Sequence, residues 1–121
     1  IFTMPEIGSV GLTEEQALKQ GRNIRTGQYP YRGLGKAHAM GEITGLAKVI
    51  AEEKTDKVLG VHICGAHATD LVHEAVLAIR LGAKASDLSR MVHAHPTLSE
   101  ALMEAASDVD GQAIHLLPKK S

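Results

Sequence analysis

Cysteine is nearly missing: Cys64 is the only one in 121 residues, so no disulfide can close within the chain. Such usage fits a reducing, cytoplasmic setting, and Cys64, set in an apolar run that reads as a strand, is expected to be inert. An excess of either charge is missing too. Lys plus Arg number 13 against 14 Asp plus Glu, a net charge of −1, and no basic stripe stands out beyond Lys119-Lys120, which argues against a nucleic-acid partner. No apolar run approaches a membrane span, and the opening "IFTMPE" has neither the basic nor the apolar region of a signal peptide. A soluble protein without membrane contact is expected. Internal repeats, heptads and low-complexity segments are also lacking.

What is present is a chain 44% hydrophobic, the size of one domain and able to bury a core without metal or disulfide. It opens at Ile1 inside a strand-like stretch, as an excerpt of a longer polypeptide would. Thr13 and Gln16 have capping-box spacing and Gly21 offers a stop, so a short helix is expected from Glu14 to about Gln20. "IRTGQYPY" is extended, and Pro30 marks it as an edge strand or a strand end. The glycine-rich "RGLGKAHAMGEITG" reads as loop with a short strand through Lys36 to Met40. Leu46 to Glu52 and Val58 to Cys64 read as a hairpin joined by the charged turn "EKTDK".

After Gly65 the period becomes helical, and "HATDLVHEAVLAIRLG" ends at Gly82. It is apolar almost all round, leaving only His73, Glu74 and Arg80 to face water, so something besides the sheet must cover it. A second helix starts with Ser86 as its cap, and a third runs from about Leu98 to Ser107. Strands clustered ahead of helices give an α+β fold with a mainly antiparallel sheet flanked by helices.

Seven histidines invite a metal reading, because imidazole is the commonest zinc ligand. His67 and His73, six apart, fall on different helix faces; His38 and His115 fall in loops, and His62 in a strand. For these five, ordinary surface or core roles are expected. The cluster "HAHPTLSE", residues 93 to 100, stands apart. A His-x-His pair in a strand would put His93 and His95 on one side with Glu100 as a third ligand, yet nothing completes a ligand set, so no metal is expected. Thr97-x-x-Glu100 is a capping box in which the carboxylate reaches back to the cap N–H. Alternatively Glu100 accepts a hydrogen bond from His95, fixing its tautomer and strengthening it as a base. Such a pair is an acid–base device that lacks a nucleophile in this chain.

"HAHPTLSEALMEAA" closely resembles the end of the dihydrolipoamide dehydrogenases, flavin-dependent pyridine nucleotide-disulfide oxidoreductases. "FTMPEIGSVGLTEEQA", "GLAKVIAEEKTDKVLGVHICGAHATDLVHEAVLAIRLGA" and "AIHLLPKK" resemble successive parts of the same C-terminal domain, so the likeness covers essentially the whole chain. Residues 1–121 would then be a single dimerisation domain, with the FAD- and NAD-binding domains outside it. The resemblance implies that His95 is the acid–base histidine, Glu100 the carboxylate that orients it, and His93 a neighbour of open role. It also implies a redox-active disulfide in the partner subunit, FAD and NAD in the full-length enzyme but none bound to this chain alone, and dihydrolipoamide as substrate. A cis His95–Pro96 bond and a homodimer complete it, the helix over 67–81 packing on its symmetry mate through Leu71, Ala75 and Ala78. The rivals are a dimerisation module without chemistry, the same domain of a mercuric or glutathione reductase, and a small metal-binding protein. A vicinal cysteine pair near the end is typical of mercuric reductases, and this chain closes "HLLPKKS" without one.

Overall fold

A computed structural model describes residues 3–116. The strand-like start at Ile1 and the Lys119-Lys120 pair lie outside the described residues. Strands β1 (Ile7–Gly11), β2 (Ile24–Pro30), β3 (Gly45–Glu52) and β4 (Val58–Gly65) form one antiparallel sheet of order β1-β4-β3-β2. The described residues also form five helices: α1 (Glu14–Lys19), α2 (Gly35–Met40), α3 (Ala68–Leu81), α4 (Ala85–Arg90) and α5 (Glu100–Asp108). The α+β architecture is the expected one. The hairpin agrees with expectation to within a residue at each end, and β2 is an edge strand that ends at Pro30.

One face of the sheet carries the core. Val61 and Ile63 of β4, Ala47, Val49 and Ala51 of β3, and Tyr29 of β2 pack against Ala68, Ala75 and Ala78 of α3 and Ala101, Leu102 and Ala105 of α5. Two glycines let the helices sit directly on the strands. A Cβ on Gly8 would lie 2.4 Å from the Ala68 carbonyl oxygen, and one on Gly27 would lie 2.2 Å from that of Ala105. Both approaches are too close for any side chain.

Four local expectations change. β1, at "IGSVG", gave no strand signal, because glycines occupy two of its five positions and leave little apolar alternation to read. Lys36 to Met40 is not loop or strand but lies in α2, after a single 3-10 turn at Tyr31–Gly33; Gly41 stops it in the left-handed conformation at φ 71° while Ala37 is buried. Ser86 does not cap α4. It sits in the first turn and gives its N–H to Asp56 (3.0 Å), while the Asp87 carboxylate takes the N–H of Lys84 (2.8 Å). Glu74 is not a wet residue of α3 but is partnered by His93, as described below.

By contrast, the α1 box is complete: Gln16 N–H donates to Thr13 Oγ1 (3.1 Å) and Thr13 N–H to Gln16 Oε1 (2.9 Å). Among the described residues no helix is long and apolar enough to cross a membrane.

Candidate functional site

The loop from Met91 to Ser99 delivers His93, His95 and Thr97 to the start of α5. His95 Nδ1 donates to Glu100 Oε1 (2.8 Å), and the N–H of Thr97 donates to Glu100 Oε2 (2.9 Å). The expected capping box is not formed, because the helix starts at Glu100 itself with Ser99 as its cap and no side-chain cap bond; one Glu100 oxygen instead ties down the loop backbone at Thr97 while the other holds the histidine. The Thr97 hydroxyl does not return to α5 as a cap would; it donates to the Ala94 carbonyl (2.6 Å) and meets Ser99 Oγ (2.8 Å), fixing the loop instead.

A carboxylate offers only acceptors, so Nδ1 carries the ring proton and Nε2 keeps its lone pair. The His95 side chain is 76% exposed and that of Glu100 only 14%. Burial pushes the Glu100 carboxyl upward, but the Thr97 N–H and the His95 ring outweigh it and hold it below the usual carboxylate range. The result is an imidazole backed by a sheltered anion, with Nε2 turned away from the carboxylate. The His95–Pro96 bond is cis, as the resemblance implies, and so is Met4–Pro5.

His93 does not stand beside His95 on one side of a strand. Its Nε2 meets Glu74 Oε1 of α3 (2.8 Å) and its Nδ1 the Met91 carbonyl (2.9 Å), with the side chain 5% exposed. It pins the loop to α3. The two rings thus turn to different carboxylates, and among the described residues no group of three or more His, Cys, Asp or Glu is arranged to hold a metal ion.

A second histidine–carboxylate pair lies beside the first, unanticipated in the sequence. Glu104, one turn along α5 from Glu100, is buried, and its oxygens accept from His115 Nδ1 (2.7 Å) and the Ile114 N–H (3.0 Å). A small cavity of about 50 Å³ is lined by Tyr29, Leu34, His95, Glu100, Glu104 and His115 among others. Tyr29 donates its hydroxyl to the Gly33 carbonyl (3.0 Å); burial first, then Glu104 and Glu100, push its phenol up. The i, i+4 spacing of Glu100 and Glu104 was the available signal. Nothing local marks His115, which reaches Glu104 only because the segment after α5 doubles back.

The remaining histidines take ordinary roles. His38, within α2 rather than a loop, meets the Arg32 carbonyl (2.7 Å), and His62 joins Ser9 Oγ (3.0 Å) and the Leu12 carbonyl (2.9 Å).

Two of the three residues expected at a dimer interface are taken up by the core. Ala75 and Ala78 face the chain's own sheet and are buried in its core, with Leu71 partly buried against it. Ala75 and Ala78 are thus already covered by their own sheet, while Leu71 keeps part of its surface open. The outward side of α3 instead presents Val76, Leu77 (60% exposed) and Leu81 (74% exposed).

The sequence model of the dimerisation domain of pyridine nucleotide-disulphide oxidoreductases matches residues 1–106. The chain belongs to that family. Within it, the chain is 47% identical over 116 residues to the mitochondrial dihydrolipoyl dehydrogenase 1 of Arabidopsis thaliana, covering 96% of this chain and 23% of that protein. It is 48% identical over 117 residues to the dihydrolipoyl dehydrogenase of Thermus scotoductus, covering 97% and 25%. Among solved structures, LpdA of Mycobacterium tuberculosis superposes with a TM-score of 0.83 at 25% identity, over 89% of this chain and 24% of that one. The chain thus spans about a quarter of the length of the relatives it matches.

Proposed function

We propose that this chain is the single interface domain of a dihydrolipoamide dehydrogenase and supplies the acid–base pair His95–Glu100 to a disulfide centre on the partner subunit. The observation that carries the reading is the Nδ1-to-Glu100 bond with Nε2 left open. A dihydrolipoamide thiol, with a pKa near 8.5 by analogy with cysteine, is mostly unreactive at neutral pH. His95 Nε2 takes its proton; the thiolate attacks one sulfur of the disulfide and expels the other as thiolate. The second thiol of the substrate then displaces the protein sulfur, so lipoamide leaves as a cyclic disulfide and two electrons stay on the protein dithiol. The imidazolium formed on the way is stabilised by the Glu100 carboxylate.

The chain contains no G-x-G-x-x-G run of the kind that cradles a dinucleotide. The sites for FAD and NAD are therefore assigned to other parts of the polypeptide. When bound, flavin and NAD supply the electron acceptors that return the dithiol to disulfide.

The dimer is assigned to the outward face of α3, where Val76, Leu77 and Leu81 remain uncovered in the lone chain. A second copy of the domain is the occupant that the family's description names, and a two-fold arrangement lets one helix face serve both subunits.

The test is His95→Gln in the full-length polypeptide. Glutamine keeps a polar side chain but cannot exchange protons near neutral pH, so dihydrolipoamide turnover should fall by roughly 10²–10⁴. Electron flow from NADH to an artificial one-electron acceptor needs no thiol deprotonation and should largely survive. Intact lipoamide turnover, or an equal fall in both activities with the dimer preserved, would overturn the assignment.

A further inference from the structure

We propose that Glu104 and His115 form a positioning pair for the same site, holding the segment after α5 as a wall of the cleft beside His95 and setting the charge around Glu100. This rests on the acid–base reading of His95–Glu100.

Glu104 is the most deeply buried carboxylate among the described residues, 2% exposed. A carboxylate is kept in such a place only by partners, since burial of an unpaired one is strongly unfavourable. Both of its partners, the Ile114 N–H and His115 Nδ1, come from the returning segment. The anion therefore fastens that segment over α5. The fastening falls where the segment completes the cavity shared with His95.

The pair also acts through charge. Glu100 and Glu104 lie four residues apart on α5, so two anions share one helix face, a repulsive arrangement. His115 stands against the second of them with its side chain 63% exposed, so a protonated ring keeps its contact with water. With His115 protonated the second pair is neutral as a unit, and Glu100 remains the uncompensated anion available to His95. In keeping with this, against the opposing effect of burial the charge on His115 joins the Thr97 N–H and His95, its larger companions, in lowering the Glu100 carboxyl. The titratable groups around the cleft are Tyr29 from β2, His95 from the loop, Glu100 and Glu104 from α5 and His115 from the returning segment; the stretch Gly33 to Gly35 brings none.

The two halves of the pair should therefore act with opposite sign. Removing a cation raises the proton affinity of His95, and removing an anion lowers it. A unit charge across so small a cleft shifts a largely exposed group such as His95 by roughly 0.5–1 pH unit.

The experiment uses the full-length polypeptide with His115→Gln and, separately, Glu104→Gln, reading the His95 ring titration by NMR and the acidic limb of kcat/KM for dihydrolipoamide. His115→Gln should move both upward by roughly 0.5–1 unit and Glu104→Gln should move both downward by a similar amount. A purely structural loosening would move the two variants the same way, and that result, or an unmoved His95 titration in both, overturns the proposal. If Glu104→Gln fails to fold, His115→Gln at its more exposed position decides alone. The ring titration reports the coupling even if His95→Gln proves harmless to turnover, so failure of the acid–base reading is told apart from failure of this one.

Discussion

At the scale of single residues, Glu100 divides its oxygens between the Thr97 N–H and the His95 ring, and isosteric replacement can separate the two bonds. Glutamine can still accept from the Thr97 N–H through its amide oxygen. It cannot offer His95 an anion. Glu100→Gln should therefore leave the melting temperature close to wild type while turnover falls, by less than His95→Gln because the base itself remains. Glu100→Ala removes the Thr97 bond as well and should lower stability by about 1 kcal/mol. If Glu100→Gln were as active as wild type, Glu100 would only hold the loop at Thr97. His93 is the complementary case: its ring is sheltered and touches Glu74 and Met91. His93→Ala would leave the Glu74 carboxylate without that partner and should cost about 1–3 kcal/mol of stability, visible as an earlier urea midpoint.

Among the elements, the placement of α5 depends on Gly27 as much as on anything in the helix. With a Cβ 2.2 Å from the Ala105 oxygen and 2.3 Å from the Val109 nitrogen, Gly27→Ala cannot be accommodated without lifting α5 from β2. The expected loss is about 1–3 kcal/mol, as for other overpacked sites, and a fall in turnover should accompany it because Glu100 rides on α5. Unchanged stability in a denaturation curve would refute the close approach. Helix α3 separates inside from outside in the same manner. Ala75→Glu puts a charge against the sheet and should unfold the domain, whereas Leu77→Glu should leave the fold intact and weaken the dimer, a distinction that sedimentation combined with far-UV circular dichroism can draw. The sequence shows why only part of this was legible. Periodicity marks which residues of α3 are apolar, but an all-round apolar helix does not say which side meets its own sheet, so Ala75 and Ala78 were assigned to the wrong neighbour. The hairpin, the box of α1 and the His95–Glu100 pair were readable because they depend on spacing over three to eight residues. Strand β1 and the His115–Glu104 contact were not, since one is rich in glycine and the other needs the chain to fold back.

For the whole molecule, the proton inventory predicts a stability plateau bounded at both ends. A hydrogen bond from the Thr69 hydroxyl lowers Glu6 against the opposing effect of burial, one from Thr55 does the same for Glu52, and Glu100 is lowered as described. A carboxyl whose folded value is lowered contributes stability above its unfolded value and loses it as pH falls through the folded one. The acidic edge should therefore begin below about pH 4.5, where unfolded carboxylates take up protons. At the other end, burial raises Tyr29 and pushes Tyr31 up to about 12, and the Tyr31 hydroxyl donates to the Ala66 carbonyl (2.9 Å). Their neutral forms belong to the folded state, so this contribution is complete below roughly pH 10, the unfolded tyrosine value, and disappears as pH climbs toward 12. Urea midpoints across this range, taken at one protein concentration because any self-association would add to apparent stability, should trace the plateau. Tyr31→Phe then isolates the alkaline edge. It should lower the plateau by about 1 kcal/mol for the lost hydrogen bond and flatten the decline above pH 10, since phenylalanine has no proton to release. A decline as steep as in wild type would mean that the alkaline edge arises elsewhere than at the buried Tyr31 phenol.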